Sequence, residues 1–109
     1  MLQASEIQQR FSAIQQVIGD AEREVDAATA STSHELRVCI HKMAEAARSA
    51  KDIMQGSEQA RMVECIDRLE DMGDEAKRIS RSDETISAQL ETAVTRVHAE
   101  LSKLKHQLH

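Results

Sequence analysis

Seven apolar residues near the start of the chain, Ile7, Phe11, Ile14, Ile18, Ala21, Val25 and Ala28, are spaced alternately four and three apart. That spacing is an unbroken heptad seam, and it puts all seven side chains on one stripe of one helix. A stripe so narrow packs a helix against other helices. It fixes the fold class and leaves the activity open.

The rest of the chain agrees with an all-α fold. The 109 residues contain no proline and three glycines, Gly19, Gly56 and Gly73, amid strong helix formers. Phe11 is the one aromatic residue, so the core is expected to be built from Ala, Met, Ile, Leu and Val. A chain of this length buries roughly two thirds of its unfolded surface, enough for one modest domain over residues 1–109.

Polar breaks divide the chain into four predicted helices at about 5–30, 33–55, 57–80 and 83–108. Ser5 reads as the first N-cap, with Gln8 three residues on. Thr32 with Glu35 reads as a capping box. Gly56-Ser57 reads as a C-cap followed by an N-cap. The second helix carries Leu36, Cys39, Met43, Ala46, Ala50 and Ile53, widened by Ile40, Ala47 and Met54. The third presents Met62, Ile66, Leu69, Gly73 and Ala76; the fourth presents Ile86, Leu90, Val94, Val97, Leu101, Leu104 and Leu108. Short connections make sequence neighbours antiparallel, which gives an antiparallel up-down four-helix bundle. The alternative is continuous helix through residues 31–33 and 80–83. It would make a long helical hairpin that dimerises to cover its seam. Three Ser/Thr residues in a row are poor helix-interior choices and favour the compact bundle.

Net charge is −5, spread as −3, +1, −2 and −1 over residues 1–30, 31–55, 56–81 and 82–109. With no basic segment and no aromatic pair for base stacking, nucleic acid is not an expected partner. The apolar runs are too short to span a bilayer, and a cytoplasmic setting is the default expectation. Cys39 and Cys65 lie about 8 residues, or 12 Å, apart in level on an antiparallel pair folded at Gly56, beyond the reach of a disulfide. Free thiols are expected, Cys39 in the core and Cys65 partly exposed.

Two groups of residues stand out as sites. Glu64, Asp67, Asp71 and Asp74, spaced 3-4-3 with Glu70 and Glu75 beside them, form an acidic stripe that could face a basic partner. Arg61, Arg68, Lys77 and Arg78 are interspersed with it, which is also the pattern of a solvated face. Ser33-His34-Glu35-Leu36-Arg37 resembles the phosphoacceptor box of the dimerisation domain of sensor histidine kinases. The resemblance implies that His34 accepts phosphate, helped by Glu35, on a helical hairpin that dimerises. Val38-Cys39 stands where that family has Thr-Pro. The closing stretch from Glu100 to His109 is similar to small bacterial helical proteins to which no activity is attached.

His41 and Glu45, four apart, could share a metal, but the paired Glu-x-x-His pattern of di-iron bundles is missing, so no metal or other cofactor is expected. Nothing places a histidine and an orienting group beside either thiol, and no Ser-His-Asp order or phosphate loop occurs. The expectation is a non-enzymatic bundle that binds another protein or itself, as a homodimer. Phosphotransfer through His34 is the alternative, and a small apolar ligand held among Met and Ala side chains a weaker one.

Overall fold

The computed structural model describes residues 3–27, 33–56 and 58–109. It contains α1 (Ala4–Ala27), α2 (His34–Ser49), α3 (Lys51–Gln55), α4 (Gln59–Ser82) and α5 (Ala88–Leu108). Helices α2 and α3 run nearly as one rod. Ala50 between them keeps helical geometry at φ −76° and ψ −10°, donates its N–H to Ala46 O at 2.9 Å and accepts from Met54 N–H at 2.9 Å. The chain therefore has four packed rods, as the spacing predicts.

The rods close into a ring, α1 against α2, α2 against α4, α4 against α5 and α5 against α1. Every neighbour is antiparallel. Arg10 near the start of α1 meets Gln107 near the end of α5, while Glu22 near the end of α1 meets Arg48 and His41 of α2. Ser33 meets Asp83 at one end of the α2–α4 pair, and Lys105 meets Glu70 across α4 and α5. The body measures 42 × 22 × 17 Å. The long hairpin is overturned at both break points. Ser33 (φ −62°, ψ 146°) and Asp83 (φ −95°, ψ 100°) are extended, and extended residues end a helix.

Several caps differ from expectation. Helix α1 already starts at Ala4, so Ser5 is inside its first turn, and the Gln3 N–H donates to Glu6 Oε1 at 3.3 Å. Ser33 is the α2 cap, its Oγ accepting the Leu36 N–H at 3.2 Å. Thr32 and Ser57 lie outside the described residues. Glu58 caps α4 without a side-chain bond to its first turn. Helix α4 outlasts the predicted break because the hydroxyls of Ser80 and Ser82 donate back to Lys77 O (2.8 Å) and Ile79 O (3.0 Å), which keeps serines compatible with helix. Helix α5 starts at Ala88, five residues later than expected, because the cap is Ser87, whose Oγ accepts the Leu90 N–H at 3.1 Å.

The predicted seam of α1 is buried from Ile7 to Val25, with Val17 added; Ala28 lies outside the described residues. The seam of α2 and α3 turns by one position from the expected register. Leu36, Ile40, Met43, Ala47, Ala50 and Met54 are buried, while Cys39, Ala46 and Ile53 sit half-buried at its edge. The broad stripe admits both registers, and the one chosen buries Ile40 in place of the smaller Cys39. Helices α4 and α5 bury every predicted position except Ile86, which lies before α5 begins; Ile79 is buried in addition.

Glycine 73 faces α5 directly. A Cβ there would stand 3.4 Å from Leu101 Cδ1 and 3.8 Å from the His98 Cα. Gly19 marks no such approach, since a Cβ there would meet only Arg23 Nη1 at 3.7 Å. Among the described residues, no helix is long and apolar enough to cross a membrane.

Two substitutions separate core packing from helix propensity. Ile14→Ala opens a cavity at a side chain that is 1% exposed and should cost about 2–5 kcal/mol in urea unfolding. Gly19→Ala should raise stability by about 0.5–1 kcal/mol in the same assay. A loss on Gly19→Ala would mean that this glycine is needed for a close contact.

Candidate functional site

The acidic stripe is divided by its neighbours. Glu64 faces solvent and reaches Arg68 at 3.8 Å on its own helix. Asp71 is exposed on the rim of the cleft between α2 and α4. Asp67 and Asp74 turn instead toward α5: Asp67 meets His109 Nε2 at 2.9 Å, and Asp74 meets His98 Nε2 at 2.5 Å. Asp74 is thereby drawn away from Arg78, which pairs with Glu75 at 2.7 Å.

Glu70, grouped by its sequence with the solvated stripe, is buried, with 8% of its surface exposed. Its Oε2 accepts from Lys105 Nζ at 3.3 Å, and its Oε1 has Ser102 Oγ at 3.5 Å. The hydrogen bond and the charge of Glu70 hold the Lys105 ammonium above its usual pKa. One ligand atom each of Glu70, Asp74 and His98 falls within 4.8 Å of the others, a grouping able to hold a metal ion. Sequence reasoning missed this set. The i,i+4 spacing of Glu70 and Asp74 was visible, whereas His98 comes from another helix and joins them only through the α4–α5 register.

His41 does not share a site with Glu45. Its Nδ1 lies 2.9 Å from Glu22 Oε2 and its Nε2 lies 2.7 Å from Asp26 Oδ1, so its ring bridges two carboxylates one turn apart on α1. Arg48 reaches the other oxygen of Glu22 at 3.3 Å. The ring therefore ties α1 to α2. His34 is the first residue of α2 and is exposed, with Glu35 exposed beside it.

The seam between α2–α3 and α4 opens into a continuous cleft. Two cavities of about 420 and 460 Å³ lie along it and share Lys42, Arg68 and Met72. Ala46, Ala50, Ile53 and Leu69 line one half, and Val38, Cys39 and Ile79 the other. Glu35, Glu45, Asp71 and Glu75 stand on its rim with Lys42 and Arg68, a net charge of −2. Both cysteines are free and half-buried here, Cys39 at the edge of the core and not inside it. The Cys39 thiol donates to Met72 O at 3.7 Å. Burial, reinforced at Cys39 by Glu75, raises both thiol pKa values and so disfavours the nucleophilic thiolate. Apolar side chains floor the cleft, and neither of its thiols is activated.

Compared with family models, curated proteins and solved structures, the chain finds no match in any of the three.

Asp83 anchors the end of the bundle where α4 stops. Its Oδ2 accepts the Ser33 N–H at 3.1 Å, and its Oδ1 accepts the Thr85 N–H at 3.0 Å and the Thr85 hydroxyl at 2.7 Å. The Thr85 hydroxyl above all, and then the backbone N–H groups of Ser33 and Thr85, hold the carboxyl below its ordinary value of 3.8. A depressed folded pKa contributes stability above the unfolded value, and that stability is lost as pH falls through the folded value. Asp83→Ala should cost about 1 kcal/mol near neutral pH, and its deficit against wild type should shrink below about pH 4. Thermal melts of both proteins across the acid limb test this; a constant deficit would remove the linkage.

Proposed function

We propose that this protein is a non-enzymatic helical bundle that binds another protein, taking an amphipathic helix of that partner into the cleft between α2–α3 and α4. The observation that carries the reading is the pairing of an apolar floor, formed by Val38, Ala46, Ile53 and Met72, with a rim of net charge −2. A helix lays its apolar face into such a groove through residues at i, i+3, i+4 and i+7. The rim favours a partner with basic flanks, because complementary charge speeds encounter and disfavours wrong partners. Asp71 is the member of the predicted acidic face that this reading uses.

A fluorescent amphipathic peptide with a leucine stripe and lysine flanks serves as the probe, with a glutamate-flanked peptide of the same stripe as its control. Wild type should prefer the lysine-flanked peptide. Ala46→Glu, which puts a charge on the floor, should weaken binding about tenfold or more. Asp71→Lys, at an exposed position, should weaken it by a smaller factor that shrinks with added salt. Equal binding of the two peptides, or no response to Ala46→Glu, would overturn the assignment. A dimer by light scattering that Ala46→Glu dissociates would give the cleft to a second copy of the chain.

A further inference from the structure

The geometry points to a divalent transition-metal site on the opposite seam of α4, where Glu70, Asp74 and His98 bring two carboxylates and one imidazole together between α4 and α5. Their ligand atoms lie within 4.8 Å of one another. Donors around a tetrahedral ion with bonds of about 2.1 Å stand roughly 3.4 Å apart, so small side-chain rotations close the set. Gly73 lies between the two carboxylates on α4 and faces α5 at His98 and Leu101. The imidazole is thus delivered from a second helix onto a pair of carboxylates one turn apart.

Charge and burial point independently to a cation. The Glu70 side chain is nine-tenths buried, yet one oxygen has only a hydroxyl at 3.5 Å and the other an ammonium at 3.3 Å, both long for bonds to a carboxylate. Two carboxylates at i and i+4 repel each other. A dication relieves that repulsion and gives Glu70 a closer charged partner than Ser102 or Lys105 provides. Asp67 and Asp71 on the same helix add negative potential nearby. The imidazole sets the class of ion: nitrogen with two carboxylates suits Zn²⁺ or Co²⁺, whereas Mg²⁺ and Ca²⁺ prefer all-oxygen shells. Three protein ligands leave one position for water or a partner's side chain. The site is separate from the α2–α4 cleft and does not rest on the binding function proposed for it.

The test is titration of the full, reduced chain with Zn²⁺ by calorimetry and with Co²⁺ by visible absorption. One ion per chain should bind. His98→Gln and Asp74→Asn should each lower the affinity about tenfold or more. His41→Gln, which removes the other imidazole flanked by two carboxylates, should leave it unchanged. The Co²⁺ form should show ligand-field bands without the near-ultraviolet band of a cobalt thiolate, and excess Mg²⁺ should not displace it. Circular dichroism of each variant checks that the helices persist, and Asp74, being exposed, supplies a variant that folds even if His98→Gln does not. Absence of saturable binding, affinity unchanged in both Asp74→Asn and His98→Gln, or a thiolate band would overturn the site.

Discussion

Everything in this structure depends on burying aliphatic stripes in a chain with one aromatic residue. Aromatic side chains fill space generously and dominate many cores. Here Phe11 stands alone, and the buried hydrophobic residues are otherwise Ile, Leu, Val, Met and Ala. Such side chains fill a core to close-packed density only when helices approach closely along most of their length. Four antiparallel rods in a ring meet that demand, because every seam then covers two stripes at once. The absence of proline lets the rods run uninterrupted.

The four seams are not equivalent, and their differences give each a distinct surface. Where α4 meets α5, Gly73 faces Leu101 and His98, and polar groups cross the seam at Asp67, Glu70 and Asp74. Where α1 meets α2, His41 and Arg48 reach the carboxylates of α1. Between α2 and α4 the small side chains of Cys39, Ala46 and Ala50 leave space that the larger Met72 and Ile53 only partly fill, and a cleft results. A ring of rods can hold a cleft in a seam without losing its core, since the buried stripes behind the cleft are covered from within.

The helical class, the four rods and most of the core were legible because a heptad repeat is a local signal. The α1 seam from Ile7 to Val25 and the α5 seam from Leu90 to Leu108 hold position by position. The α2 register was not legible, because Cys39 and Ile40 begin two equally regular stripes, and only the neighbouring helices decide between them. The start of α5 was missed for a similar reason. Asp83 looks like the opening of a helix in sequence, but it is committed to Ser33 and Thr85, and the capping falls to Ser87. Among the site residues, the 3-4-3 spacing of acids on α4 identified one face, but a helix face turns into a seam wherever another helix covers its flank. Asp67 and Asp74 lie on that flank and Asp71 does not.

Glu70 makes the same point in energetic terms. A buried carboxylate is expensive unless it is paired and hydrogen-bonded. A core built only for stability would place an apolar residue at this position, since removing a buried ionic group in favour of good packing is often neutral or stabilising. Lys105 and Ser102 compensate its charge through long contacts. A residue that holds a charge in the seam, one turn from Asp74 and beside the imidazole of His98, is the reason for proposing a cation there.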